Sequence, residues 1–443
     1  MSVGVAKVFQ VFHHCFQTKT HHVHHKALSY LRGLFKSEKN RANCQSIADS
    51  LGGMDHQSLN HLLTDSPWDH VDVFDQLSSS AGALMNRQEA IGFLIDEVGF
   101  RKKGKHSACV GRQYLGSIGK HDNGQVAVVG GLSQGVHYCP VVAELFMPKS
   151  WEEDPERRKK AGVPDHVVHR TKPQMALEII LKQREKGTRF DFVGFDALYG
   201  SSMAMIDSLE DNGVPFIGDI KENMHVFREN PSFGFPIPEV GKKGRKRKFP
   251  KTDSTSISVR DYTANLKEGD WVQLSFRKGT KKPIKALFHK REVWVCTDEK
   301  KGKAVHLILL VRKDPDGKTK YSLTNMRGFD LLALAQRQGQ RVFVEKIFEE
   351  GKNQVGLGDY QVRSWNGFHK HMAISFIALY YIFHQKITYG EELPLTAPII
   401  RKLVAATISS KWDRIDSAIE VALKILKEYF TNDLNRSHQS LVT

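Results

Sequence analysis

The chain has 443 residues, 40% of them apolar, a size that calls for two to four domains and a composition that excludes a disordered or fibrous polymer. Lys and Arg total 65 against 49 Asp and Glu, a formal charge of +16 that points to a polyanionic partner. The five cysteines (15, 44, 109, 139 and 296) never form a CxxC pair and read as reduced thiols of a cytoplasmic protein. No signal-peptide apolar segment opens the chain, and the longest apolar run, 372–383, falls short of the roughly 20 residues of a membrane span, so no membrane partner is expected.

In chain order, residues 1–85 read as a helical region. Helices over 43–51 and 55–63 flank Gly52 and Gly53, a pattern that suits either a DNA-binding helix-turn-helix or two helices of a bundle. A tract of histidines (13, 14, 21, 22, 24 and 25) has no cysteine pair beside it and lacks the four well-placed ligands of a structural zinc site. From 86 to 221 the pattern changes. Strands are predicted over 91–96, 108–114, 125–132 and 137–146, then a helix over 173–186, a strand over 190–196, a further helix after DALYG, and a strand over 214–220. A meander followed by helix, strand, helix and strand suits a mixed α/β sheet of ribonuclease H type. Residues 222–326 read as a β-rich insertion, 327–390 as a helical return with helices over 329–352 and 365–385, and 391–443 as a C-terminal helical region with a helix over 414–430.

The positive charge gathers in four runs, at 101–105, 157–160, 242–248 and 277–282. A solvated face explains any single run, whereas four runs with the same sign favour nucleic acid. The densest comprises Lys242, Lys243, Arg245, Lys246, Arg247 and Lys248, in a linker suited to contact a phosphate backbone.

Asp96 and Asp196 each close an apolar run and lead into turn or helix-start residues. Acidic groups at strand ends lie over the edge of the sheet where ligands bind, and burying an uncompensated carboxylate is costly. A loop or helix-cap aspartate is the alternative for each alone. Glu345 lies in a helical stretch where Gln338, Arg341, Glu345 and Lys352 project within about 100° of one another. A surface Arg–Glu pair is its alternative. Three such carboxylates converging could hold two hard divalent cations about 3.5–4 Å apart, with open positions for phosphate. Glu97 is the nearest rival, but strand alternation turns it to the face opposite Asp96.

These residues carry a resemblance. The segments FLIDEVGFRKKGKHS, RQYLGSIGKHDNGQVAV, WEEDPERRKKAGVP, DALYG and QRVFVEKIFEEGKNQVGLGDYQVRSWNGFHKH, together with SLNHLLTDSPWD, resemble in order the DDE transposases of bacterial insertion sequences, in the IS-four-like superfamily and near its IS-seven-oh-one-like branch. The resemblance implies a ribonuclease H-like core interrupted by the β-insertion, with Asp96, Asp196 and Glu345 as metal ligands and catalytic residues. Two Mg²⁺ ions, replaceable by Mn²⁺, are the implied cofactors, and double-stranded DNA of the element ends and target is the implied partner. A homodimer joining both ends and association with the nucleoid follow from the same likeness. In the family's tyrosine, arginine, glutamate and lysine signature, Arg341, Glu345 and Lys352 match and Gln338 takes the tyrosine position, which leaves a hairpin route open. Val98 stands where Ser or Thr is usual. Trp271 and Trp294, in the insertion, read as strand core more readily than as base-stacking residues. A repurposed DNA-binding protein without chemistry is the competing expectation.

Overall fold

A computed structural model describes residues 4–18, 22–235, 248–279, 282–390 and 395–409. After α1 (Val5–Phe9) and α2 (His24–Lys36), two short helices take their limits from side-chain caps. Asn43 accepts the Ser46 amide at 3.0 Å to start α3 (Cys44–Leu51), and Asp55 accepts the amides of Gln57 and Ser58 to start α4 (His56–Thr64). Gly52 and Gly53 between them adopt φ of 68° and 72°, a reversal that only glycine makes without strain. α5 (His70–Leu84), capped by Asp69, then leads to the sheet.

β1 (Gly92–Arg101), β2 (Gly111–Leu115), β3 (Lys120–Gln134) and β4 (His137–Leu145) form an antiparallel meander in which β3 pairs with the other three. The polar start of β3, outside the predicted 125–132, becomes strand because β2 supplies its hydrogen-bonding partner. α6 (Lys149–Glu152) and α7 (Pro155–Lys160) follow, then α8 (Lys172–Glu185), opened by a capping box of Thr171 and Gln174. Half of the basic run on α7 is structural. Arg157 covers the Trp151 ring and donates to the carbonyls of Lys105 and Val110, and Arg158 donates to those of Pro164, Asp165 and Val167.

β5 (Phe192–Phe195), α9 (Ala197–Gly200), α10 (Met203–Asp211) and β6 (Phe216–Ile220) complete the core crossover. β1, β5 and β6 run parallel, with Ile95 opposite Phe195 and Phe195 opposite Gly218. Of the insertion, β7 (His225–Phe227), β8 (Phe233–Gly234), β9 (Lys251–Thr252), β10 (Ser256–Ser258), α11 (Val259–Ala264), β11 (Val272–Arg277), β12 (Ile284–Asp298), β13 (Lys303–Lys313) and β14 (Thr319–Thr324) are described. β6 pairs with β14, β14 with β13 and β13 with β12, so strands from residues 222–326 continue the preceding strands into one twelve-stranded sheet; β8 and β9 form a ribbon of their own. Trp294 stacks on His306 across β12 and β13, and Trp271 packs against the main apolar core.

The predicted helix over 329–352 is two helices, α12 (Leu331–Gln340) and α13 (Val342–Gln354), joined at Arg341 by tight i→i+3 bonds. α14 (Trp365–Tyr389) is buried along most of its length, as expected of a core helix, and packs against β4 and α5; α15 (Ala397–Ser409) follows. Among the described residues no helix is long and apolar enough to cross a membrane. Residues 391–394, His21, the segment from Lys242 to Arg247 and the expected helix over 414–430 lie outside the described residues, while Lys248 is exposed.

Candidate active site

The register of three parallel strands gathers acidic groups. One step beyond the Ile95, Phe195 and Gly218 pairings stand Asp96, Asp196 and Asp219, side by side where β5 ends; Asp96 does not close its strand as expected but lies midway along β1, which continues to Arg101 because β3 goes on pairing with it. Two glycines permit this. A Cβ at Gly218 would sit 1.9 Å from the Phe195 ring, and one at Gly200 would sit 2.0 Å from the Asp219 carbonyl oxygen. The glycine of DALYG therefore lets α9, with Asp196 at its N-cap, settle directly on β6.

Asp96 accepts a hydrogen bond from the Glu97 amide at 2.8 Å, and Asp196 accepts from the amides of Leu198 at 2.9 Å and Tyr199 at 3.4 Å. Burial, then the negative charges of Asp196 and Glu97, push the Asp96 carboxyl up to about 8. Burial and Glu97 raise Asp196 as well. Glu97 is turned the other way, as alternation requires, and is satisfied there: Lys172 on α8 lies 3.0 Å from it and the Tyr199 hydroxyl donates to it at 2.9 Å.

On the Asp96 side, Leu94 packs against Phe343 and Val344 and so fixes α13 above the strand ends. Arg341, at the joint of α12 and α13, reaches down with Nε 2.8 Å from Asp219 and Nη2 3.5 Å from Glu345. Burial opposes its charge, but Asp219, then Asp96, Glu345 and Asp196, outweigh burial and hold the guanidinium still more firmly protonated. The residues expected on one helix face are divided among three environments. Gln338 is 4% exposed beneath α12, Glu345 has 59% of its side chain exposed at the rim, and Lys352 donates to the Gly99 carbonyl at 3.3 Å over the Phe100 ring. Burial lowers the Lys352 ammonium.

The structure thus brings Asp96 and Asp196 together and links Glu345 to them through Arg341. Among the described residues no three His, Cys, Asp or Glu side chains lie close enough to hold one metal ion. The donors fit a hard divalent cation all the same: they are carboxylate oxygens, and a cation is what relieves two half-buried like charges. Asp219 was missed in the sequence, where VPFIGDI reads only as a strand. Its signal was an acidic residue at the end of an apolar strand, the same signal that marks Asp96 and Asp196.

Residues 11–283 match the family model described as DDE superfamily endonuclease, a span that holds Asp96 and Asp196 and ends before Glu345. The chain is also similar to the "Probable transposase for insertion sequence element IS701" of Microchaete diplosiphon, with 34% identity over 203 residues. That match covers 45% of this chain and about half the length of the relative, 50%. Endonucleases of this superfamily use divalent metals, and the half-buried aspartate pair on a mixed α/β sheet agrees with that chemistry. The chain belongs to the DDE superfamily endonucleases.

Proposed function

We propose that the chain is the transposase of an insertion sequence, which binds the inverted-repeat ends of the element, cleaves them by phosphodiester hydrolysis and joins the 3′-hydroxyl ends to target DNA. The observation that carries this reading is the pair of half-buried carboxylates, Asp96 and Asp196, on adjacent parallel strands beneath a helix bearing Arg341 and Glu345. Asp96, Asp196 and Glu345 would hold two Mg²⁺ ions, with Mn²⁺ able to replace them, which activate the attacking water or 3′-hydroxyl and stabilise the leaving oxygen. Glu345 is exposed at the rim and tied to Arg341 by one long contact, so it completes the set by leaving the guanidinium.

The chain's own residues do the positioning. Arg341 presents a planar cation beside the aspartates, suited to orient a phosphodiester, and Lys352 adds a second positive group at the far end of β1. Lys242, Lys243, Arg245, Lys246, Arg247 and Lys248 contribute contact to the DNA backbone, and two copies of the chain hold the two ends together.

The test is Mg²⁺-dependent cleavage of labelled element-end DNA. Asp96→Ala, Asp196→Ala and Glu345→Ala are each expected to abolish it while leaving end binding in place. Cleavage at the wild-type rate by any of the three removes that residue from the chemistry. A wild-type chain that binds end DNA and never cleaves it is the repurposed DNA-binding protein instead.

A further inference from the structure

Asp219 does more than fill a strand. Its Oδ2 forms an ion pair with Nε of Arg341 at 2.8 Å, and its Oδ1 receives the Ser322 hydroxyl at 2.6 Å from the neighbouring strand β14. The Ser322 oxygen in turn accepts Nε2 of Gln338 at 2.7 Å, and the Gln338 carbonyl oxygen faces Nη1 of Arg312 at 3.4 Å. Arg312, on β13, is itself held by Asp314 at 3.0 Å. Every proton has one direction in this series, since Ser322 gives its only proton to Asp219 and takes one from Gln338. Ser322, Gln338 and Arg312 are all buried, so no water competes for the contacts.

The position of Gln338 acquires a meaning here. Both ends of its amide are spent inside the protein, so the residue at the family's tyrosine position supports the site from behind. The β-insertion, through β13 and β14, thereby reaches the helix joint that carries Arg341.

We propose that Asp219 is a positioning residue: with Ser322 and Gln338 behind it, it fixes the Arg341 guanidinium so that its remaining N–H groups face a phosphodiester next to Asp96 and Asp196. A guanidinium has five N–H donors in a rigid fork, and anchoring Nε aims the rest. Without Asp219 the strongest remaining attraction for Arg341 is the aspartate pair itself, and the side chain would turn into the place where the reacting groups belong. This inference rests on the proposed DNA cleavage.

The experiment compares Asp219→Asn, Ser322→Ala, Arg341→Gln and the double variant Asp219→Asn/Arg341→Gln in single-turnover cleavage at saturating end DNA, with the dissociation constant measured separately. Loss of the ion pair that orients the guanidinium predicts a rate lower by roughly 10- to 100-fold for Asp219→Asn, with affinity for DNA changed far less. Ser322→Ala should show a smaller loss. The double variant should be no slower than Arg341→Gln alone, because both changes act through one guanidinium. Additive losses, or a wild-type rate for Asp219→Asn while Asp96→Asn is inactive, overturn the proposal and leave the cleavage reading standing. If the wild-type chain binds end DNA and never cleaves it, the cleavage reading fails, and a second readout decides the positioning claim. The side-chain Nε–H of Arg341, seen by ¹⁵N spectroscopy and assigned through Arg341→Lys, should exchange slowly in the wild-type chain and at least about tenfold faster in Asp219→Asn and, less so, in Ser322→Ala. Equal exchange in all three overturns it.

Discussion

Two regions bury titratable side chains, and they do so in opposite ways. Along α14, His369 accepts from the Leu145 amide and donates to the Trp365 carbonyl; His371 accepts from the Tyr30 hydroxyl at 2.9 Å and donates to Leu357; Lys370 donates to the Ser66 carbonyl over the Trp68 ring. Each polar atom there meets a complement, and burial holds both histidines neutral. Where β5 ends beside the middle of β1, Asp96 has one backbone donor from its own neighbour and feels the charges of Asp196 and Glu97. A buried polar group with its partners is architecture, whereas buried like charges short of partners cost stability that a ligand can return.

The sharpest way to break the comparison is to neutralise the strained site. Asp96→Asn keeps an oxygen for the Glu97 amide and removes one like charge. Cleavage of element-end DNA should fall by on the order of 10³-fold or more, since a metal-binding carboxylate is lost. Stability without divalent cations should instead rise by roughly 1–2 kcal/mol, as read by urea denaturation. A variant both inactive and less stable would place Asp96 in the same class as the α14 residues.

The converse change belongs on α14. His371→Ala strands the Tyr30 hydroxyl and opens a cavity in a fully buried position, so it should cost roughly 2–5 kcal/mol. Cleavage per folded molecule should stay at the wild-type level; a stable but inactive His371→Ala would contradict the division between the two regions.

His371 and His70, which stacks on His369 from α5, predict an acid limit. Burial and the nearby Lys370 lower His70 to about 4, although Asp69 lies 3.5 Å from its ring, and burial lowers His371 to about 3. Their ordinary value is 6.5. Below it the unfolded chain takes up protons that the folded chain refuses, so stability is full above pH 6.5 and is lost as pH falls through about 4 and then about 3. Each group contributes a slope of up to about 1.4 kcal/mol per pH unit. Urea titrations across this range should flatten in His70→Asn, and an unchanged slope would show that His70 is protonated in the folded chain.

How much of this was legible in the sequence depended on range. Local signals carried far: the two short helices on either side of the glycine pair, the apolar run of α14, and the acid that follows the apolar strand β5, whereas Asp96 lies midway along its strand. Alternation also separated Asp96 from Glu97. What the sequence did not display were relations created by the sheet. Asp219 becomes a neighbour of Asp96 and Asp196 only through the parallel register, and Gln338 turns inward because Ser322 and Arg312 arrive from strands of the insertion. Helical periodicity placed Gln338, Arg341, Glu345 and Lys352 on one face, but the tight joint at Arg341 and the bulk of β1 beneath α13 divide them. The basic run at 157–160 looked uniform, yet Arg157 and Arg158 are used up in fixing loops.

Lys352 stands between the two regions and gives the smallest expected effect. It is partly desolvated like the residues of α14, yet its acceptor among the described residues, the Gly99 carbonyl, is 3.3 Å away and its ammonium keeps donors to spare. Lys352→Met preserves the stem that lies over Phe100 and removes only the charge. If the ammonium meets a DNA phosphate, affinity for end DNA should drop a few-fold at moderate salt, the slope of log affinity against log salt should shrink by about one, and stability should change by less than about 1 kcal/mol. A salt titration of DNA binding beside urea denaturation separates the cases: an unchanged slope with a loss of more than about 2 kcal/mol would make Lys352 an anchor for the end of β1, joined by its chemistry to Lys370 and to the architecture of the core.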